Sequence, residues 1–159
     1  MHVVAGKAVC FAEALLPNFK VYGRQVIDNS RVLAESLMSQ GLRLISGGTD
    51  NHLVLVDVTS FGIGGKIAEK ALDHCGITVN MNMIPFDTRK PMDPSGIRIG
   101  SPALTTRGMG VDEFTTIGGW IASALKSHDN EAALEQIRLA VKQMTNHFPV
   151  PAAGLAVAV

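Results

Sequence analysis

Apolar residues recur at helical spacing through the first forty residues of the chain. One set lies before Pro17 and a second set lies between Val21 and Leu37, with polar residues filling the other positions. A spacing of three to four residues places the apolar side chains on one face of a helix. Proline interrupts a helix and glycine commonly ends one, so Pro17 and Gly41 bound the two pieces. The pattern predicts a long amphipathic helical segment, interrupted once, over residues 1–40.

The pattern then changes to strand-like runs separated by glycines. Leu42–Ile45 alternates apolar and polar residues before Ser46-Gly47-Gly48, and His52–Val58 is almost continuously apolar and rich in valine. A continuous run of this kind is typical of a strand that is covered on both faces. We predict that this second run forms the centre of a sheet. A helix ending at His74 and a strand over Ile77–Asn80 are expected next, with a right-handed crossover.

Helical spacing returns in the last third of the chain. It predicts a helix from Val111 to about Lys126 and, after a capping Asn130, a second helix over Glu131–Asn146 whose apolar stripe belongs to the core. The fold class is therefore α/β (α+β), a short sheet packed against helices. We divide the chain into a helical segment (1–40), a domain (41–148) and a tail (149–159), and residues 152–159 are expected to fray or to cross to another surface.

A short strand between two glycines carries the most suggestive charge. In Gly96-Ile97-Arg98-Ile99-Gly100 the two isoleucines share one face and Arg98 projects from the other. A guanidinium on a rigid strand, with glycines on each side that admit other groups, suits a carboxylate held by two parallel hydrogen bonds. The alternative interpretation is a solvated edge charge, which is the commoner role of an arginine in a strand.

Composition narrows the classes of protein. The 159 residues are 47% apolar and carry 14 basic and 14 acidic side chains, which is enough for one domain with a core. Balanced charge gives no basis for binding nucleic acid or an anionic membrane, and the apolar runs are too short to span one. Cys10 and Cys75 lack metal-ligand spacing, so no metal site is predicted and both are expected to be buried. Without a secretory signal, we expect a cytoplasmic protein.

Four motifs follow one another in an order that resembles the serine hydroxymethyltransferase (glycine hydroxymethyltransferase) family. They are Gly47-Gly48-Thr49-Asp50-Asn51-His52-Leu53, Gly76-Ile77-Thr78-Val79-Asn80, Ile84-Pro85-Phe86-Asp87 and Ser95–Gly108, within a match that runs from about Met1 to Ala124. The resemblance covers only the C-terminal third of that enzyme. It implies the small C-terminal domain of the pyridoxal-phosphate-dependent aspartate-aminotransferase fold (fold type I), preceded by the connector helix.

The resemblance also implies functions for individual residues. The family interconverts serine and glycine and transfers a one-carbon unit to tetrahydrofolate, with pyridoxal phosphate as cofactor. It implies that Arg98 binds the substrate carboxylate and that Asn82 lies at the folate pocket, whereas a turn asparagine is the alternative for Asn82. His52 is expected to be structural, and Arg107 a helix-start or surface charge.

Two stretches differ from the family pattern, and one expected feature is missing. Met81 stands where the family usually has lysine, and Arg89–Pro94 replaces a commoner Ser-Pro-Phe-Val-Thr pattern. Both changes are expected to flank the folate side, near Asn82, so folate preference is left open. The family's Schiff-base lysine lies in a threonine-rich segment, and none of the lysines of this chain lies in such a segment. No catalytic residue is therefore predicted, and this part alone is expected to be inactive. The expected partners are the large domain of the same enzyme and, in a homo-oligomer, a second copy. Met1-His2 aligns with an internal Met-His of the family, so the start of the natural protein is left open.

Two other classes of function are compatible with the residues themselves. A free-standing α/β module that binds an amino acid or folate would keep Arg98 and would need no lysine. A dimerisation unit without a ligand is the third interpretation. An upstream reading frame that encodes the lysine motif would favour the enzyme, and a true start at Met1 would favour the binding module.

Overall fold

The computed structural model describes residues 1–151, which form six α-helices and one small sheet. The helices are α1 (His2–Ala14), α2 (Pro17–Ser39), α3 (Gly65–His74), α4 (Pro102–Thr106), α5 (Val111–Lys126) and α6 (Glu131–His147). The strands are β1 (Arg43–Leu44), β2 (Leu53–Asp57), β3 (Asn80–Asn82) and β4 (Gly96–Gly100). The mixed α/β class is therefore confirmed, whereas residues 152–159 of the predicted tail lie outside the described residues.

The four strands form one sheet in the order β1-β2-β4-β3, and every neighbouring pair is antiparallel. Strands β2 and β3 therefore run in the same direction, joined through α3, with β4 inserted between them. This is a split strand-helix-strand unit. Strand β4, which carries Arg98, is paired on both sides.

One face of the sheet is buried by helices and the other is more open. Val54 and Val56 of β2 and Ile97 and Ile99 of β4 point to the buried face. Helices α2, α3 and α5 contribute most of the other core side chains, among them Leu33, Leu37, Leu72, Phe114, Ile121 and Leu125. Apolar burial on this face is the main stabilising contribution to the fold.

Helix boundaries follow the signals in the sequence. Pro17 occupies the first turn of α2, where a missing N–H costs nothing. Asn130 accepts a hydrogen bond from the Ala133 N–H at 3.1 Å and caps α6. The Glu113 carboxylate accepts one from the Gly110 N–H at 2.8 Å at the start of α5. The two predicted helical pieces before Gly41, the break between them at Pro17 and the last two helices are confirmed within one or two residues.

Helix α1 contains no buried residue, although most of its length is apolar. Phe11 is 65% exposed and Leu15 is 86% exposed, whereas α2 buries Val26, Leu33 and Leu37 in the core. None of the helices in the described part of the chain has both the length and the apolar character needed to cross a membrane.

Three sequence predictions for strands differ from the structure. The strand expected at Ile77–Asn80 is β3 at Asn80–Asn82, because Ile77 and Val79 pack against the core as an irregular segment. The strand expected at Leu42–Ile45 is limited to two residues, and a 3₁₀ turn begins at Ile45. Strand β2 is internal as predicted, but Leu53 and Leu55 are half-exposed, so it is covered fully on only one face.

The two cysteines have different environments. Cys75 is buried, and burial raises the pKa of its thiol. Cys10 is exposed on α1, so the expectation that both cysteines are buried is wrong for Cys10. No other element within the described residues covers helix α1. A small apolar side chain such as Cys10 is therefore exposed there.

Candidate functional site

Arg98 lies in the middle of β4 and projects from the open face of the sheet. Its strand neighbours Ile97 and Ile99 are buried on the other face, as alternation predicts. Leu55 of β2 and Asn80 of β3 stand directly opposite it on the two adjoining strands. The predicted orientation of Arg98 is confirmed, and the backbone that holds it is fixed from both sides.

The guanidinium group borders a shallow depression of about 520 Å³. Residues of three strands and their ends line it: His52, Leu53, Thr78, Val79, Asn80, Arg98 and Gly100. Nη2 of Arg98 donates a hydrogen bond to Oδ1 of Asn80 at 3.3 Å, the one protein hydrogen bond of this guanidinium among residues 1–151. A guanidinium has five N–H donors, so most of them face the depression or solvent and can bind an anion.

The two glycines of β4 differ in function. A Cβ at Gly96 would lie 2.7 Å from Cγ2 of Ile84 and 2.9 Å from the Asn82 carbonyl oxygen, so the chain itself fills that space. A Cβ at Gly100 would meet its nearest neighbours at 3.6 Å, an ordinary contact. The expectation that both glycines admit a ligand is therefore wrong for Gly96, where the absent side chain accommodates the loop that follows Asn82.

Asn82 lies on the same face of the sheet as Arg98. It is opposite Gly96 in the β3–β4 pairing, two residues from Asn80, and its Nδ2 donates to the Met83 carbonyl oxygen at 2.6 Å. Two residues along a strand span roughly 7 Å. Arg98 and Asn82 are thus close enough for neighbouring parts of one binding region.

Met81 projects from the opposite face. It pairs with Ile97 in the sheet, and its backbone N–H donates to Oε1 of Glu69 on α3 at 3.1 Å. The side chain that departs from the family pattern therefore points toward α3 and away from Asn82. Our expectation that Met81 flanks the same side as Asn82 is corrected by this register.

The loop between β3 and β4 is organised around Asp87, which the sequence analysis did not single out. The carboxylate accepts hydrogen bonds from Oγ and N of Ser95 at 2.6 and 2.9 Å and from N of Arg89 at 2.9 Å. The Ser95 hydroxyl contributes most to lowering the pKa of Asp87 well below its usual value, and the backbone N–H groups add to it. In the sequence, Asp87 was marked only as the last residue of the Ile84–Asp87 motif.

Phe86 shows how tightly that loop is held. It is fully exposed and has a φ of 58°, in the left-handed region that bulky residues rarely adopt. The hydrogen bonds of the adjacent Asp87 stabilise this turn. An ion pair between Arg89 and Asp93 closes the part of the loop that departs from the family pattern.

Arg107 has a structural role. Nε donates to the Phe148 carbonyl oxygen at 2.6 Å and Nη2 donates to the Thr145 carbonyl oxygen at 3.1 Å, at the C-terminal end of α6. These are helix-end carbonyls that lack partners within the helix. Arg107 therefore ties the segment after α4 to the last helix and is not part of the Arg98 depression.

His52 lies at the start of β2 with an exposed side chain. Its carbonyl oxygen accepts from the Ser101 N–H at 3.0 Å, which joins the ends of β2 and β4. This structural contact is made by the backbone, so the expectation that the histidine side chain is structural stays a prediction. The residues before His52 also hold the start of β2. Asn51 Oδ1 accepts from the Leu53 N–H at 3.0 Å, and Thr49 Oγ1 donates to the Leu53 carbonyl oxygen at 2.7 Å.

A larger depression of about 640 Å³ lies beside the first and shares Leu53 with it. It separates α2 from the 46–51 segment, where Ser46, Gly47 and Gly48 all have positive φ angles. The first of the four motifs, Gly47–Leu53, thus forms one wall of the open side of the sheet. Within residues 1–151, no cluster of three or more histidine, cysteine and acidic side chains could hold a metal ion.

The fold and site define a helix-backed sheet domain with one arginine presented on its open face. The family model for serine hydroxymethyltransferase matches residues 1–121. The chain is 66% identical over 154 residues, 97% of its length, to the serine hydroxymethyltransferase of Rhodopirellula baltica, and 54% identical over 155 residues, 98% of its length, to that of Myxococcus xanthus. It spans 37% of the length of each relative. This chain belongs to the serine hydroxymethyltransferase family.

Proposed function

We propose that this chain is the small C-terminal domain of a pyridoxal-phosphate-dependent serine hydroxymethyltransferase of fold type I. In that enzyme it would help to interconvert serine and glycine with transfer of a one-carbon unit to tetrahydrofolate. Family membership supports the reaction class, and the position of Arg98 supports the part played by this chain. The division into a connector and a small domain belongs to the same proposal.

Arg98 binds the α-carboxylate of serine or glycine in this proposal. The supporting observation is its exposed guanidinium on a strand that is paired on both sides, with Asn80 as its single side-chain partner in the described residues. Two parallel N–H donors match the two oxygens of a carboxylate. Such a contact fixes the orientation of the substrate as well as its affinity, because the strand cannot rotate.

The side chains around Arg98 do not by themselves form a pyridoxal phosphate site. All seven lysines of the chain are exposed, and none lines the Arg98 depression. That lining also contains no acidic side chain to pair with the pyridine nitrogen. The cofactor, which supplies the electron sink for chemistry at the substrate Cα, would be held by other parts of the enzyme. The function of this chain is to bind and orient the substrate carboxylate.

Asn82 faces tetrahydrofolate in the proposal. Its side-chain amide can both donate and accept hydrogen bonds, as the pterin ring requires, and it lies on the same sheet face as Arg98. One face would thus contact both substrates. The apolar face of α1 would pack against the large domain, and the complete enzyme would be a homo-oligomer.

The test replaces Arg98 in the complete enzyme. Loss of one member of a desolvated ion pair costs about 3–5 kcal/mol, on the order of a hundred- to several-thousand-fold in affinity. We expect Arg98→Ala to lower serine affinity and kcat/KM by about that factor. Arg98→Lys should recover little, because an ammonium cannot form the two-pronged contact.

The matched control is Arg107→Met, which removes a guanidinium from the same segment of the chain. It should lower thermal stability, since the carbonyls of Thr145 and Phe148 lose their donors. Serine affinity should change little. If Arg98→Ala left serine affinity within about threefold of the parent, a difference of under about 1 kcal/mol, the assignment would be wrong.

A further inference from the structure

The residue opposite Arg98 on β3 is a neutral amide in contact with the guanidinium. Asn80 and Arg98 are direct partners in the β3–β4 pairing, so both side chains leave the same face of the sheet. Oδ1 of Asn80 accepts from Nη2 of Arg98 at 3.3 Å. On the other side of Arg98, the paired residue is Leu55, which offers no acceptor. Asn80 is therefore the one described side chain that restricts where the guanidinium points.

A long arginine side chain on an open face has several rotamers, and only some of them present two parallel N–H groups to the same point. An acceptor at one Nη2 hydrogen selects among these rotamers and leaves the remaining donors available. Asn80 and Arg98 line the same depression, so the selected orientation is toward that space. Positioning before binding reduces the ordering that the substrate must otherwise impose.

We propose that Asn80 is a positioning residue for Arg98, and that its neutrality sets the affinity of the site for carboxylates. This inference rests on the proposed function of Arg98. An amide oxygen orients the guanidinium without cancelling its charge. A carboxylate at the same position would form an ion pair with Arg98 and would compete with the substrate for the same donors. The amide at residue 80 is thus a requirement of binding rather than of the sheet.

Two substitutions in the complete enzyme separate these effects. Asn80→Ala removes the acceptor, and we expect the serine dissociation constant and KM to rise about two- to tenfold, with a smaller change in kcat. Asn80→Asp adds a charge, and we expect both constants to rise more than about tenfold. The thermal midpoint of Asn80→Asp, measured without serine, should equal or exceed that of the parent, because opposite charges across a strand pair stabilise it. A structural role alone would move affinity and stability in the same direction.

Background and control variants complete the design. Gln143→Glu makes the same amide-to-carboxylate change at an exposed position of α6 and should leave serine affinity unchanged. In an Arg98→Ala background, Asn80→Ala should cost no further affinity, since there is no guanidinium left to position. If Asn80→Ala reduces folding, Asn80→Ser replaces it, since serine also lacks the amide oxygen that accepts from Arg98.

The outcomes distinguish this inference from the proposed function. If Arg98→Ala has no effect on serine binding, the function of Arg98 fails and the inference fails with it. If Arg98→Ala impairs binding but Asn80→Asp binds serine as tightly as the parent, only the inference is overturned. An equal loss from Asn80→Ala in both backgrounds would also overturn it, because Asn80 would then act independently of Arg98.

Discussion

Among single residues, Asp87 has the densest set of hydrogen bonds in the loop between the two asparagines of β3 and Arg98. Its two oxygens accept from Ser95, Arg89 and Ile84, and so connect both ends of that loop. These hydrogen bonds require an ionised carboxylate, which is why they lower its pKa. The loop conformation therefore depends on one charge.

We predict that Asp87→Asn lowers the thermal midpoint at pH 7 by on the order of 5 °C, because an amide has one acceptor oxygen where the carboxylate has two. The pKa of Asp87 is lower in the folded state than the ordinary aspartate value of about 3.9. Its contribution is thus fully present above pH 4 and is lost as the pH falls toward the folded pKa. Thermal unfolding of parent and variant from pH 7 to pH 3 checks this, and the difference should shrink in acid.

The comparison for that measurement is Asp129→Asn. Asp129 is exposed, and residues 1–151 provide no hydrogen-bond donor to its carboxylate. Its replacement should leave the midpoint nearly unchanged at every pH. A constant difference between parent and Asp87→Asn from pH 7 to pH 3 would contradict the assigned role of the charge.

The sequence predicted the face of Arg98 but not its partners. Alternation within β4 is local, so Ile97, Arg98 and Ile99 could be assigned to faces from spacing alone. The Asn80 contact depends on the register between β3 and β4, which is set by long-range packing. The role of Asp87 could not be predicted for a similar reason. Ser95, eight residues away, donates a hydrogen bond to Asp87 only in the folded loop.

Among elements, the contact between α2 and α5 depends on one glycine. A Cβ at Gly118 would lie 2.6 Å from Cβ of Ser36 on α2, and Oγ of Ser36 donates to the Thr115 carbonyl oxygen at 2.9 Å. The helices pack closely because this position has no side chain. Ser36 could not move far, since its Cβ is attached directly to the backbone of α2.

We predict that Gly118→Ala destabilises the protein by about 1–3 kcal/mol, because overpacking outweighs the gain in helix propensity. Gly119→Ala is the matched control on the next residue of the same helix. No atom lies within 4 Å of a Cβ at that position, so the substitution should stabilise by about 0.5–1 kcal/mol. Denaturant unfolding of the two variants measures both values. Equal effects would show that the helices are not held at the distance seen in the structure.

Elements with strong local signals were predicted well, and elements without them were not. Pro17, Gly41, Gly76 and Asn130 mark helix ends by local geometry, and the structure places the ends there within one or two residues. Strand β3 has the sequence Asn-Met-Asn and lies three residues beyond the start of the apolar run that we chose. It forms a strand because it pairs with β4, and the strand propensity of its own residues does not indicate that pairing. Helix α4, five residues long with Pro102 at its start, was not predicted from the sequence.

For the whole molecule, the exposed apolar side of α1 predicts association. Val3, Val4, Val9, Phe11 and Leu15 are all more than half exposed on one thirteen-residue helix and the residue after it. Contiguous apolar surface of this kind is uncommon on proteins that stay monomeric. We expect the isolated chain to self-associate, or to bind a hydrophobic dye, at high concentration.

Light scattering and dye fluorescence test this expectation. The double variant Val4→Ser and Phe11→Ser should lower both the mass and the dye signal. Leu139→Ser is the control, because Leu139 is a single exposed apolar side chain on α6. A strictly monomeric parent without dye binding would contradict the prediction and would remove the support that α1 gives to a large-domain partner.

The insertion of β4 between β2 and β3 also affects how the site moves in time. A strand at the edge of a sheet can detach by breaking one ladder, but β4 can leave only when the ladders on both sides are broken. Local openings that let amide hydrogens exchange with solvent therefore reach the sheet edges first and the middle of β4 last. Arg98 is therefore anchored on a stretch of backbone that we expect to open later than the edges of the sheet. Its guanidinium, which donates to Asn80, keeps the same point of attachment while the edges open and close.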